Sequence, residues 1–170
     1  MTELARRNKR APRVGDSQRV EYLAFRLAGD SYGVRISMVA EILRPPPITE
    51  VPRAPRSVVG VVSVRGRLVT IVDARRRLGL AESSHDGRTR ILLVDIKTDE
   101  LVGLLVDEVL QVYRLGENEI EPASVLGGDQ PPHILGIGRP AALREASGAR
   151  ASNSSIIVLI DVTTLIHTDR

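Results

Sequence analysis

The sequence has no cysteine and no tryptophan, and these absences exclude several classes of protein. Without cysteine, neither a disulfide framework nor a thiolate metal site can form. The histidines, at positions 85, 133 and 167, are far apart and lack the spacing of metal ligands. No apolar run reaches the roughly 20 residues that a membrane span requires. The N-terminal segment also lacks the apolar stretch of a secretory signal.

Sequence motifs of common catalytic sites are missing as well. There is neither a GxxxxGK[ST] phosphate-binding loop nor a GxSxG nucleophile elbow. The aromatic residues are Tyr22, Phe25, Tyr32 and Tyr113, which are too dispersed to form the base-stacking surface of a single-strand binder. We therefore predict a binding module that is not an enzyme, with no cofactor, no metal and no nucleic-acid partner.

The positive charge is concentrated at the N-terminus. Residues 1–19 contain six basic and two acidic residues, a net charge of +4, whereas the whole chain carries +3. A nucleic-acid footprint is expected on the folded body, with base-reading groups nearby. We therefore predict that residues 1–19 are a basic, disordered arm. Contact of this arm with anionic lipid or nucleic acid is the alternative.

From residue 20 onward, short apolar runs and period-two alternation predict β-strands separated by Gly, Pro and Asp turns. The apolar pair 60–64 and 68–72 surrounds Arg65-Gly66-Arg67 and predicts a hairpin, and a helical turn is predicted at residues 55–59. The other predicted strands are 22–27, 32–36, 39–43, 90–96, 101–106, 109–113, 134–138 and 156–160.

The second half repeats the pattern of the first. Ile71-Val-Asp73 matches Leu159-Ile-Asp161, and both aspartates are predicted to cap short helices. Gly60 and Asp73 are 13 positions apart, whereas Gly136 and Asp161 are 25 apart, which indicates an inserted loop at residues 143–154. Each half is predicted to form a small barrel, mainly from residues 20–80 and 88–168. Because such a unit buries only about 60% of its unfolded surface, the barrels should pack together, with a docking groove between them.

Several of these segments resemble one family, the CheW-like domains. Phe25-Arg-Leu27, Tyr32-Gly-Val34 and Val39-Ala-Glu-Ile42 are similar to the opening strands of that family. Its most recognisable stretch is matched by Val64-Arg-Gly66 and Ile71-Val-Asp73, and its central strands by Gly103-Leu-Leu-Val-Asp107. The resemblance covers residues 20–167. It implies an all-β fold of two packed five-stranded SH3-like barrels with short helical turns.

The resemblance also implies a function. CheW-like proteins are scaffolds that bind the cytoplasmic tip of chemoreceptors and the regulatory domain of a CheA-type histidine kinase, with which they can alternate in rings. We therefore expect a cytoplasmic adaptor at receptor arrays, which meets the membrane only through receptors. Two alternatives are a coupling protein of a divergent chemosensory system that controls motility or development, and a basic-armed small-barrel nucleic-acid-binding protein.

The contacts of the family with receptor and kinase correspond to Val39, Glu41, Gly60 and Arg65. Val39 and Glu41 are two residues apart on a predicted strand and are expected on the same face. The alternatives are that Glu41 and Arg65 pair within the fold, that Val39 belongs to the core, and that Gly60 meets a backbone requirement.

Four further positions are weaker candidates. Ile36 and Val64 are predicted core residues that could also form the wall of the groove. Leu105 and Asp107 are candidates for the edge that faces the kinase, although strand positions of this kind mostly belong to the core.

Overall fold

The computed structural model describes residues 18–146 and 155–168, which form two β-sheets with short helices. The strands are β1 (Val20–Leu27), β2 (Asp30–Arg35), β3 (Val39–Leu43), β4 (Val58–Val64), β5 (Arg67–Asp73), β6 (Arg90–Lys97), β7 (Glu100–Val106), β8 (Glu108–Leu115), β9 (Ile120–Pro122), β10 (Ile134–Gly138) and β11 (Ile157–Ile160). The helices are α1 (Ala74–Arg77), α2 (Ala141–Ala146) and α3 (Val162–His167), and 3₁₀ turns lie at Ile36–Met38, Glu117–Glu119 and Ala123–Val125.

The strand order in the six-stranded sheet is β8-β1-β2-β11-β10-β9, and in the five-stranded sheet it is β3-β6-β7-β5-β4. Neighbours are antiparallel except for the pairs β2–β11 and β5–β7, which are parallel. The all-β architecture with two packed units is therefore as predicted. One sheet has six strands rather than five because it includes the three-residue β9. At the equivalent place in the other sheet there is one bridge, Thr49 to Val61.

The predicted division of the chain into barrels is wrong, because each sheet contains strands from both halves. Hairpin β1–β2 of the first half lies in the six-stranded sheet beside β8 and β11, and hairpin β6–β7 of the second half lies in the five-stranded sheet beside β3 and β5. The two halves thus exchange their first hairpins. Alternation identifies a strand and its faces, but it does not determine which strand becomes its partner.

Several strands are continuous apolar runs in the sequence because their two faces pack into different apolar clusters. Leu92 and Val94 of β6 point into the cluster between the two sheets, whereas Ile91 and Leu93 point into the interior of the five-stranded sheet. Strand β1 is divided in the same way, with Phe25 in the shared cluster and Tyr22 inside the six-stranded sheet. Strands that are buried on both faces join the two units into one body.

The internal repeat extends to details of the backbone. A Cβ atom on Gly60 would lie 2.2 Å from the carbonyl oxygen of Thr49, and one on Gly136 would lie 2.2 Å from that of Glu121. Asp73 caps α1, and Asp161 caps α3, through side-chain oxygens that accept hydrogen bonds from backbone N–H groups of the first turn. Both predicted caps are confirmed.

Three predicted local features differ in the structure. Residues 55–58 form a single hydrogen-bonded turn, in which the N–H of Val58 donates to the carbonyl oxygen of Pro55 at 2.9 Å, but no helix reaches Gly60, because β4 begins at Val58. The predicted loop 143–154 begins within α2, and its Leu143 packs against the core of the six-stranded sheet. The rest of that loop and most of the predicted arm lie outside the described residues. Arg19, the last residue of the arm, pairs with Glu119 at 3.4 Å.

Candidate functional site

The turn between β4 and β5 positions the first candidate side chain. Arg65 and Gly66 both have positive φ, +50° and +77°, and Val64 pairs with Arg67 on either side of them. This is the two-residue hairpin turn that matches the twist of the flanking strands. Glycine is suited to the second position, because a Cβ atom is disfavoured at positive φ. The turn places the Arg65 side chain at the end of the hairpin.

Arg65 forms an ion pair with Glu41 of β3, and a contact of this pair with a partner stays a prediction. Nη2 of Arg65 lies 2.7 Å from Oε2 and 2.8 Å from Oε1 of Glu41. Because β3 and β4 are the two ends of the five-stranded sheet, the pair connects its opposite edges. The side chain of Arg65 is 76% exposed, so the pair contributes only about 0–1 kcal/mol to stability.

A β-bulge in β3 separates Val39 from Glu41. Val39 is opposite Val94 of β6, and Glu41 is opposite Leu93, so two steps along β3 correspond to one step along its partner. Val94 faces the cluster between the sheets, whereas Leu93 faces the interior of the five-stranded sheet. The prediction that Val39 and Glu41 share a face is therefore wrong, because the extra residue reverses the alternation.

The bulge brings a different apolar residue to the face of Val39. Ile42 is opposite Leu92, whose side chain points to the same cluster as that of Val94. Ile42 is 43% exposed, and sequence reasoning missed it because simple alternation from Val39 gives position 42 the opposite face. Unbroken period-two spacing contains no signal for such a bulge.

The remaining candidates of the first half are partly buried. Ile36 and Val39 pack against the cluster between the sheets, and Val64 packs against the interior of the five-stranded sheet. Gly60 is buried and leaves no room for a side chain, which agrees with a backbone requirement. Of these residues, Ile36, Val39 and Val64 retain some accessible surface that a partner could contact.

The structure contradicts the prediction that Leu105 is a contact residue and gives Asp107 a role within the fold. Leu105 is only 3% exposed and belongs to the core of the five-stranded sheet. Asp107 accepts hydrogen bonds from Nε of Arg75, at 2.7 Å, and from the backbone N–H of Ala28, at 2.8 Å. The hydrogen bond to Asp107 raises the pKa of Arg75 above its ordinary value. Asp107 thus connects α1 to the β1–β2 turn of the other sheet.

The structure also bears on the nucleic-acid alternative. Tyr22 and Phe25 are buried, at 3% and 0% exposure, and Tyr32 stacks on Phe25 with ring centroids 6.2 Å apart. Buried rings cannot act as stacking platforms for bases.

Within residues 18–146 and 155–168, no group of three or more acidic, histidine or cysteine side chains is placed to hold a metal ion. In the same ranges, no helix is long and apolar enough to cross a bilayer.

Two β-sheets that exchange hairpins around a shared core, with an ion pair joining the edges of one of them, define a small all-β interaction module. The chain belongs to the CheW-like domain family, whose sequence model matches residues 21–170.

Individual relatives agree with this assignment. The chain is 35% identical to "Chemotaxis protein CheW" of Rhizobium meliloti over 109 residues, which are 64% of this chain and 70% of the relative. It is 31% identical to "Protein FrzA" of Myxococcus xanthus over 150 residues, 88% of this chain and 87% of the relative. The crystal structure of scaffolding protein TtCheW from Thermoanaerobacter tengcongensis superposes with a TM-score of 0.73 at 25% identity, covering 89% of this chain and 95% of that one.

These similarities confirm three predictions from the sequence: the family, the all-β fold of two packed units, and the function of a chemotaxis coupling adaptor. The family is one of scaffold and adaptor proteins.

Proposed function

We propose that this chain couples the cytoplasmic tip of chemoreceptors to the regulatory domain of a CheA-type histidine kinase, in the cytoplasm and without catalysing a reaction. Membership of the CheW-like family is the observation that carries the proposal. The chemotaxis relatives and the scaffolding protein of similar fold support it. Contact with the membrane is then indirect, through the receptors, and ring assembly with the kinase domain is part of the same proposal.

We assign the first contact to a β3 surface, which we define as Ile36, Val39, Glu41, Ile42 and Arg65. Ile36 and Val39 pack against the cluster between the sheets, and Ile42, which is 43% exposed, is opposite Leu92 of that cluster. The exposed Arg65 is held at the sheet edge by Glu41. The apolar residues lie on one face of the edge strand and the charged pair on the other, so a receptor helix docked against this edge, in helix-in-groove fashion, would contact both.

Transmission requires that the partners bind differently in the two signalling states. A scaffold can change kinase activity only if its contacts with receptor or kinase have different free energies in those states. The rigid body formed by the two sheets suits this role, because displacement at one edge is carried through the shared core rather than absorbed by a linker. The proposal therefore assigns receptor and kinase to different edges of one body.

The proposal is tested by titrating the protein with a receptor cytoplasmic hairpin and, separately, with a CheA-type regulatory domain. We expect both to bind. Ile42→Asp should weaken receptor binding at least tenfold, because it buries a charge without a partner. Ile42 is partly exposed, so this variant should remain folded, as circular dichroism would check.

A second test variant is Arg65→Ala, and its matched control is Arg144→Ala, because Arg144 is an exposed arginine of α2 in the second repeat. Arg144→Ala should leave binding of both partners unchanged, whereas Arg65→Ala at the equivalent connection of the first repeat should weaken receptor binding. If neither partner binds the wild-type protein, the coupling function is refuted. If both bind folded Ile42→Asp as tightly as wild type, only the placement of the surface is wrong.

The coupling protein of a divergent chemosensory system is a second candidate. It is favoured by the similarity to Protein FrzA, which covers most of both chains and, unlike the Rhizobium meliloti relative, is not named a chemotaxis protein. The two candidates differ in the pathway that loses its output. Deleting the gene and scoring swimming bias and surface motility separately would distinguish them, since the first candidate affects bias and the second affects motility or development.

A further inference from the structure

A groove between α1 and α3 lies away from the β3 surface. It has a volume of about 680 Å³ and is lined by residues of both repeats, among them Arg56, Arg76, Arg77, Leu78, His133 and Leu165. Arg56 precedes β4, and α1 follows β5, so the groove is at the opposite end of the β4–β5 hairpin from Arg65. Seven-residue strands with a rise of about 3.3 Å per residue separate the two places by about 20 Å.

One wall of this groove carries a concentration of positive charge. Arg56, Arg76 and Arg77 line it, and Asp129 is the acidic residue of the opposite wall. Nε of Arg77 donates to the carbonyl oxygen of Leu165 at 2.6 Å, so this guanidinium is held by the C-terminal end of α3. Burial and, next, the charge of Arg77 lower the pKa of His133, which favours its neutral form.

The other two arginines already hold a carboxylate. Nη2 of Arg56 lies 3.0 Å from Oε1 of Glu82, and Nε of Arg76 lies 3.5 Å from the same oxygen. Glu82 belongs to the segment between α1 and β6, and its side chain is 48% exposed. Its exposure indicates that it can leave at little cost, because an exposed pair is weak. The structure thus shows the pair of arginines in contact with an exchangeable carboxylate.

Arg76 is contacted by two carboxylates. Its Nε lies 3.7 Å from Oδ2 of Asp73 and 3.5 Å from Oε1 of Glu82, and it has no hydrogen-bond partner among the described residues. Asp73 is 5% exposed and stays in place as the cap of α1, so Glu82 is the carboxylate that a ligand can replace. Leu78, which is partly buried, provides apolar surface beside the arginines, and Pro131 and Pro132 also line the groove.

We infer that the α1–α3 groove binds a short acidic and apolar peptide segment of a partner protein, whose carboxylate takes the place of Glu82 on Arg56 and Arg76. The volume lies in the range of specific ligand sites. Arginine is suited to such a site because its planar guanidinium recognises carboxylates. Leu78 and the two prolines accept the apolar side chains next to the carboxylate. This contact surface is additional to those of the proposed coupling function and does not depend on it.

The test uses the full chain and a fluorescein-labelled, eight-residue peptide of alternating glutamate and leucine, followed by fluorescence anisotropy. We expect saturable binding that weakens with added salt. Peptides in which serine or lysine replaces glutamate should bind much more weakly. Arg56→Ala should weaken binding of the glutamate peptide about fivefold, because an exposed charge pair is lost.

Glu82→Gln should have the opposite effect and tighten binding about threefold, because it removes the competing carboxylate. Arg114→Ala is the matched control, since Arg114 is also an exposed arginine paired with a glutamate, Glu21, and it should leave peptide affinity unchanged. The inference is overturned if Glu82→Gln has no effect or weakens binding. It is equally overturned if inorganic phosphate or an oligonucleotide binds more tightly than the peptide at the same arginines.

Discussion

The two repeats have the same strand order, but they differ where their last two strands are connected. In the first repeat, β4 and β5 are joined by the two-residue turn Arg65-Gly66. In the second, the chain leaves β10 at Gly138, forms α2, and returns to β11 at Ile157. The two repeats thus share their strand order, but the last two strands are connected by a two-residue turn in the first repeat and by a long segment that contains a helix in the second.

Because of this difference, the residues at the two connections make different contacts. At the end of β4–β5, Arg65 reaches across to Glu41 and joins the edges of the five-stranded sheet. At the corresponding place in the six-stranded sheet, Leu143 of α2 packs on the barrel core. The first repeat keeps an exposed, charged sheet edge, whereas the second covers its core with its own chain. Four predictions test how far the equivalence of the repeats extends.

The largest effect is expected at the paired glycines. Gly60→Ala and Gly136→Ala should each lower the free energy of unfolding by about 3 kcal/mol or more, because the new Cβ atom meets a backbone oxygen at 2.2 Å. Urea unfolding followed by circular dichroism measures both values. Gly29→Ala, where a Cβ atom has no neighbour within 4 Å but φ is also positive, is the control and should cost much less. A large difference between Gly60→Ala and Gly136→Ala would contradict the equivalence of the repeats.

The next effect concerns a position where the repeats diverge. Leu105 of β7 corresponds to Arg35 of β2, since Gly103 and Gly33 occupy equivalent places after the hairpin turns. Leu105→Ala should cost about 2–4 kcal/mol, because it leaves a cavity in the core. Arg35→Ala, at an exposed position, should change stability by less than about 0.5 kcal/mol. Thermal unfolding compares them, and equal costs would show that Leu105 is not a core residue.

The helix caps should give a smaller and similar pair of effects. Asp73→Ala and Asp161→Ala each remove a side chain that accepts two backbone N–H groups, at a cost of about 1 kcal/mol each. Replacement by Asn retains an oxygen acceptor and should recover most of the loss. Denaturant unfolding at neutral pH measures the series. Failure of Asn to recover stability would mean that the charge of the aspartate, rather than its capping hydrogen bonds, is required.

The smallest effect is a dependence on pH. In the first repeat, the backbone N–H of Asp73 donates a hydrogen bond to the carbonyl oxygen of Ser57. In the second repeat, the N–H of Asp161 donates to that of His133. Ser57 and His133 are therefore equivalent positions, and His133→Ser makes the second repeat resemble the first. Because the pKa of His133 is lowered in the folded protein, its contribution to stability is present above pH 6.5 and is lost as the pH falls below that value.

His133→Ser should therefore reduce the loss of stability between pH 7.5 and 5.5, by less than about 1 kcal/mol. Unfolding by urea at a series of pH values measures the difference between the variant and the wild-type protein. A steeper pH dependence in the variant than in the wild-type protein would contradict the lowered pKa of His133.

Much of the local structure could be predicted from the sequence. Strand positions, the hairpin turn at Arg65 and both aspartate caps depend on neighbouring residues, so their signals are local. The equivalence of Gly60 and Gly136 in the two repeats could also be predicted, because each repeat needs a glycine where a backbone oxygen comes close. Sequence spacing did not reveal the bulge beside Ala40, which separates Val39 from Glu41 and exposes Ile42. One extra residue in a strand reverses the face of every later residue of that strand relative to simple alternation.

The sequence by itself determined that this chain is a two-fold repeat of short strands, that it belongs to the CheW-like family, and that it has the arginine and glutamate of the candidate site. Only the tertiary structure decided that the repeats exchange their first hairpins, that Glu41 and Arg65 pair across a sheet, and that Leu105 is buried. The physical reason is range: strand and turn propensities act over a few residues, whereas strand partners and side-chain burial depend on apolar contacts between segments that are distant in the chain.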